Sequence, residues 1–291
     1  MNKPPKNQPQ VIEELRPGQS IELLKELHIL TREGKLNQDT RRKLKQVYHL
    51  YQFIEPLLND ALKGDAAFTL ADHGAGKSYL GFILYDLFFN VAHAGQPLGG
   101  HVYGVETRPE LVEKSRTLAA HLGFKRMSFL NLSVQESTTS TDLPGRIDIV
   151  TALHACDTAT DDAIAFGLIK QAQHMVLVPC CQAEVAGFLK KSKALNLSRT
   201  PLAELWRHPL HAREFGSQIT NVLRCLQLEA SGYEVTVTEL VGWEHSMKNE
   251  LILASKPKVA AAAKTASAQV RLQQVLAELG LSELRQRFAF E

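Results

Sequence analysis

The sequence predicts an α/β protein with a doubly wound, mostly parallel sheet, and three observations carry that prediction. Short strand-like runs alternate with amphipathic helical stretches through the middle of the chain. A glycine-rich turn, Asp72-His73-Gly74-Ala75-Gly76, joins the first such run to an apolar helix. Late in the chain, two strand-like runs separated by a polar turn suit an antiparallel pair at the sheet edge.

The elements follow in order. Residues 1–18, with several Pro and Asn and little periodicity, read as a disordered tail. Residues 19–64 read as a helical cap, because Leu23, Leu24, Leu27 and Leu30, then Leu44, Val47, Tyr51, Ile54, Leu58 and Leu62 recur at helical spacing. A sheet domain over 65–256 opens with the strand Phe68–Ala71, the glycine turn and the helix Tyr79–Val91. The strand His101–Val105 ends in Glu106 and leads to a helix carrying Leu111 and Leu118. Further strands are expected at 129–134, 147–153 and 175–178, with a helix over 159–172. Residues 183–216 read as helical and basic, and a second helix spans 219–230. Strands at 233–241 and 250–254 flank the turn 242–249. The Ala/Lys-rich residues 257–268 look like a linker, and 269–291 like a final helix.

With 291 residues, the chain is long enough to bury a substantial core. It has no apolar run of about 18 residues, and MNKPPKNQPQ lacks a signal-like stretch, so a cytoplasmic location is expected. Cys156, Cys180, Cys181 and Cys225 show no C-x-x-C spacing and are expected to be reduced thiols. A net charge of +2 does not by itself point to nucleic acid; local patches must carry that argument.

The glycine turn has two readings. Gly76-Lys77-Ser78 matches the end of a phosphate-binding P-loop, but Ala71 stands where that motif needs its first glycine. No strand ending in a Walker B-type Asp accompanies it, so an NTPase is disfavoured. The other reading is a turn that lets backbone approach a nucleotide-like ligand without a clashing Cβ.

On Leu70-Ala71-Asp72-His73-Gly74-Ala75-Gly76 and Val102-Tyr103-Gly104-Val105-Glu106, the chain resembles class I S-adenosylmethionine-dependent methyltransferases. Ser78 stands where that family usually has a third glycine. The resemblance covers roughly residues 65–255 and implies a seven-stranded Rossmann-like sheet with an antiparallel edge strand. It also implies S-adenosylmethionine as cofactor, held by Asp72, His73, Gly74, Ala75, Gly76, Lys77 and Tyr79, with Glu106 on the ribose. Ser133, Val134 and Leu153 would complete that site, although the acid usual after the third strand is missing here.

More narrowly, the stretch from Ala152 to Asp161, LHACDTATD within it, and Pro179-Cys180-Cys181-Gln182 resemble a branch that includes the glutathione-S-transferase C-terminal-domain-containing proteins. That branch is distantly similar to a group of tRNA methyltransferases. In the family topology, the two motifs sit at neighbouring strand ends, bringing His154, Cys156 and Asp157 toward Cys180, Cys181 and Gln182.

Three readings compete for this cluster. Asp157 is a helix cap and the cysteines small buried hydrophobes; or His154 or Asp157, with Cys180 and Cys181 nearby, serves the substrate as proton acceptor and positioning group. The third, a zinc site, is disfavoured because adjacent cysteines rarely point to one metal. The Asp/Asn-Pro-Pro-aromatic signature of many N-methyltransferases is absent, and the turn Trp243–Asn249 is either a substrate entrance or a plain hairpin.

Two basic stretches suit an RNA partner: Arg41-Arg42-Lys43-Leu44-Lys45 near Tyr48 and Tyr51, and Lys190 through Arg213, including Lys191, Lys193, Arg199, Arg207, His208 and His211. The plain alternative is two solvated helix faces. RNA methylation is therefore the first hypothesis. A small-molecule or protein acceptor and a non-catalytic cofactor-binding protein are the others.

Overall fold

Strands and helices alternate through the centre of the chain in a computed structural model that describes residues 14–65, 67–153, 155, 157–179, 182–192, 199–240, 250–259 and 261–289. The cap is α1 (Ile21–Glu26) and α2 (Gln38–Asp65). Then come β1 (Thr69–His73), α3 (Tyr79–Tyr85), β2 (His101–Glu106), α4 (Pro109–His121), β3 (Met127–Asn131) and α5 (Val134–Thr139). The second half holds β4 (Ile149–Ala152), α6 (Thr158–Ile169), β5 (His174–Leu177), α7 (Glu184–Ser192), α8 (Pro209–Ala230), β6 (Glu234–Glu239), β7 (Glu250–Ser255) and α9 (Ala262–Glu278).

The seven strands lie in the order β3-β2-β1-β4-β5-β7-β6. Neighbours are parallel except β7, which runs antiparallel to β5 and β6. Strand order reverses at β1, which has β2 on one side and β4 on the other, so the crevice for a ligand lies at the carboxyl ends of these strands.

Period-two alternation divides the core between the two faces. Leu70, Val102, Phe129, Ile149 and Val176 join the cap, α3 and α4 on one face. Ala71, Val105, Val150, Met175 and Ile252 join Ile164 and Phe166 of α6 and Leu228 of α8 on the other. Among the described residues, no helix is long and apolar enough to cross a membrane.

Several boundaries differ from the sequence expectation. The tail is packed by residues 14–18: Leu15 rests on the core and the Arg16 guanidinium lies 4.8 Å from the Tyr51 ring centroid. β1 extends through Asp72 and His73, which the sequence placed in the loop. β3 stops at Asn131 because Ser133 caps α5 in a capping box with Glu136. The helix after β1 continues beyond Tyr85 as a π-helical segment, Asp86–Ala92, where buried Asp86 accepts the Ser20 N–H at 2.8 Å. The two helices expected up to residue 230 are divided differently, because α8 runs unbroken from Pro209.

At the C-terminus, the expected linker 257–268 is largely helical. Alanine is the best helix former, and Ala268 is fully buried, so α9 starts at Ala262. It ends at Glu278 instead of running to Phe288, because Gly280 takes φ 66° and the Leu281 N–H returns to the Leu276 carbonyl. Leu272, Leu276, Leu284 and Phe288 pack on Val185, Leu189, Leu223 and Leu226, so this element docks on its own chain.

Candidate functional site

The glycine turn stands at the carboxyl end of β1. Gly74 has φ 64° and Gly76 φ 58°, conformations that carry no steric penalty only in glycine. A Cβ at Gly74 would come within 3.4 Å of the Ala155 backbone, so this turn abuts the β4–α6 loop. The Ala75 N–H bonds the Val105 carbonyl, and the Gly76 N–H donates to Glu106 Oε2 at 2.8 Å, fastening the turn to the end of β2.

Glu106 is 6% exposed. Arg108 donates from Nε to Oε1 and from Nη2 to Oε2, each at 3.0 Å, and from its own N–H to Oε1. Burial alone would raise this carboxyl. The bonds from the Arg108 side chain and backbone and from Gly76, with the Arg108 charge, outweigh it and bring the pKa down to about 2. The result is a carboxylate fixed at the crevice rim in its accepting form.

Asp72 and His73 point to opposite faces of β1. Asp72 is 2% exposed and accepts from the Thr151 hydroxyl on β4 at 2.7 Å. Burial pushes it up to about 7, against a smaller lowering by that hydrogen bond. His73 is 0% exposed, packs on the Phe166 ring at 4.2 Å, and among the described residues has no hydrogen-bond partner at either ring nitrogen. Burial drives its pKa down to about 3, so it is a neutral core residue and only its backbone lines the turn.

The remaining candidates spread around this centre. Lys77 and Tyr79 line a cleft of about 820 Å³ between α1 and α4, together with His28 and Leu118. Ser133 is engaged in capping α5, accepting the Glu136 N–H at 3.2 Å, while half-buried Val134 packs on the second core face. Leu153 follows β4, half-buried against the first.

On the other side, His154, Cys156, Cys180, Cys181 and the turn Trp243–Asn249 lie outside the described residues. Asp157 is described, and it departs from the simple cap. It occupies the N-cap position of α6 but makes no side-chain bond there; its Oδ1 accepts the Ala183 and Glu184 N–H groups at 2.9 and 3.2 Å, capping α7.

The side chains that hold this region together escaped the sequence reading. Arg224 of α8, 0% exposed, donates from Nε and Nη2 to Asp161 at 2.6 and 3.0 Å and from Nη2 to the Asp157 carbonyl at 2.8 Å. Its Nη1 reaches Asn221 Oδ1, which also accepts from Gln182, and Asn221 donates to Glu250 at 2.6 Å. On the outside, Arg287 pairs with Asp162 and Glu184. One signal was available: Thr220, Arg224 and Gln227 share a helical face with Leu223, an apolar face that carries polar groups needing partners. Among the described residues, no cluster of His, Cys, Asp and Glu is arranged to hold a metal ion.

A parallel sheet with its switch point at β1, an antiparallel β7, a glycine turn after β1 and a rim carboxylate ending β2 define the class: a Rossmann-like class I methyltransferase. The chain belongs to the methyltransferase-domain family, which it matches over residues 42–187. It is similar to the glutathione S-transferase C-terminal domain-containing protein of Bos taurus, 26% identical over 183 residues, 63% of this chain and 25% of that one. The Homo sapiens counterpart is 25% identical over the same span, 24% of its length. The chain thus spans about a quarter of the length of these relatives. Among solved structures, it is similar to an rRNA methylase from Streptococcus thermophilus (TM-score 0.44, 9% identity, 71% of this chain and 95% of that one). It is also similar to the Aeropyrum pernix fibrillarin with natively bound S-adenosyl-L-methionine (TM-score 0.39, 12% identity, 71% and 76%).

The residues present fit the family's cofactor, S-adenosylmethionine. Gly74 and Gly76 leave a cradle that side chains would fill, and Glu106 supplies the carboxylate that ribose hydroxyls require.

Proposed function

We propose that the chain transfers a methyl group from S-adenosylmethionine to RNA. The observation that carries the cofactor half is the bond from Gly76 to Glu106, which couples the glycine turn to the rim carboxylate. The cofactor supplies an activated methyl on a sulfonium, a good leaving group, so the protein's task is to hold the acceptor in line with it. Gly74 and Ala155 would frame that approach.

The RNA half rests on exposed basic residues toward the carboxyl edge of the sheet. Helix α8 runs back from that edge, since Ser217 bonds Gln182 in the β5–α7 loop. Arg199 and Arg207, both exposed, precede α8, and exposed His208, His211 and Arg213 stand at its start. The α1–α2 turn lies by the glycine loop, because His28 and Lys77 line one cleft; exposed Arg41, Arg42, Lys43 and Lys45 open α2 beyond it. Such surfaces suit phosphates, and His208 stacked edge-on with His211 offers a ring to a base. A cytoplasmic setting agrees with the free thiol of Cys225.

A second reading, a small-molecule or protein acceptor, is favoured by the ion pairs Arg41–Glu14, Arg207–Glu204 and Arg213–Glu214, which neutralise part of that surface. Incubation with methyl-labelled cofactor and separate pools of total RNA, protein and metabolites decides between them. Label in RNA, weakened by salt and by Arg41, Arg42, Lys43 and Lys45→Ala, supports the first reading. Label in another pool replaces it.

A further inference from the structure

We propose that Asp157 and Arg224 are positioning residues that lock the β4–α6 loop to the start of α7. The proposal rests on the methyl-transfer reading above.

The starting point is a strained residue. Asp157 has φ 51° and ψ −125°, a conformation that a side chain disfavours and that persists only where the surroundings over-determine it. Here they do. Its Oδ1 holds the N–H groups of Ala183 and Glu184, at the entry to α7, across 26 and 27 residues of sequence. Its carbonyl is held by Arg224, which is itself fixed by both oxygens of Asp161 and by Asn221. Through Asn221, the same network reaches Gln182 in the β5–α7 loop and Glu250 at the start of β7.

Both bonds converge on Oδ1 of Asp157 at the start of α7, so this oxygen is engaged in capping. The clamped loop also carries Ala155, whose backbone limits the space at Gly74. The clamp therefore sets the distance between the cofactor turn and the acceptor side, and in-line transfer is sensitive to such distances.

Three variants test this in the full chain: Asp157→Asn, Asp157→Ala and the charge-neutral pair Arg224→Gln with Asp161→Asn. Asn keeps an accepting oxygen and tolerates positive φ. Asp157→Asn should transfer methyl to total RNA within about threefold of wild type with an unchanged pH profile. Asp157→Ala and the pair should lose roughly a hundredfold in kcat, while the dissociation constant for S-adenosylmethionine stays within about threefold. Amide hydrogen exchange at residues 183–187 reads the clamp without activity: wild-type protection in Asp157→Asn, roughly tenfold faster exchange in Asp157→Ala. If wild type labels no RNA, the function reading fails while the exchange data still decide the clamp. Wild-type exchange in Asp157→Ala, or loss of transfer in Asp157→Asn as complete as in Asp157→Ala, overturns the proposal.

Discussion

Two regions meet at the carboxyl edge of the sheet, and they are built differently. Around β1 and β2, the site is made largely of backbone: two glycines at positive φ and one carboxylate fastened to the second of them, within a stretch of 35 residues from Asp72 to Glu106. Around β4 and β5, it is made of side chains reaching from distant elements, such as Arg224 on Asp161 across 63 residues. The first arrangement suits a ligand common to a whole class. The second fixes the relative position of two loops and is where one member can differ from another.

The comparison predicts separable effects, starting with the largest. Arg224→Met leaves the Asp161 carboxylate, 3% exposed, without its partner and should cost about 3–5 kcal/mol of stability in urea titration. A loss under about 1 kcal/mol would mean that the network does not hold the loops. Glu106→Ala should leave the fold intact but weaken cofactor binding by about 1.5–3 kcal/mol, read by calorimetry. Gly74→Val should cost about 1–2 kcal/mol for its left-handed backbone and also block the cofactor; normal binding would remove the turn from the site.

The pH-dependent effects come from β1 itself. The depressed His73 leaves the folded state binding fewer protons than the unfolded state between pH 6.5 and about 3, so its share of stability is intact above 6.5 and is lost as pH falls. His73→Leu should flatten acid unfolding in that window. Asp72 acts oppositely, since its raised pKa gives stability below 3.8 that is lost as pH rises through about 7. Asp72→Asn should therefore melt higher than wild type at pH 8, and a lower melting point there would contradict its burial as a costly charge.

The same contrast explains what was legible in the sequence. Strand alternation, the glycine turn and Glu106 are local patterns, so the sheet, its antiparallel edge and the turn after β1 could be read directly. His73 was assigned to the ligand, but its side chain faces Phe166, because β1 runs two residues further than its apolar run suggests. Residues 257–268 read as a linker because alanine marks a helix as readily as a spacer, and only the buried face of Ala268 and Leu272 decides. The polar groups on the apolar face of α8 showed that partners were needed, but their pairing with Asp157 and Asp161 could not be read, because no periodicity links residues more than 60 apart; only the fold brings them together.

The most direct test is calorimetric titration of the full chain with S-adenosylhomocysteine, wild type beside Glu106→Ala, with magnesium ATP as the competing ligand. The account predicts micromolar binding by wild type, roughly tenfold or greater weakening in the folded variant, and no binding of ATP. Equal affinity in the two proteins, or binding of ATP alone, would contradict it.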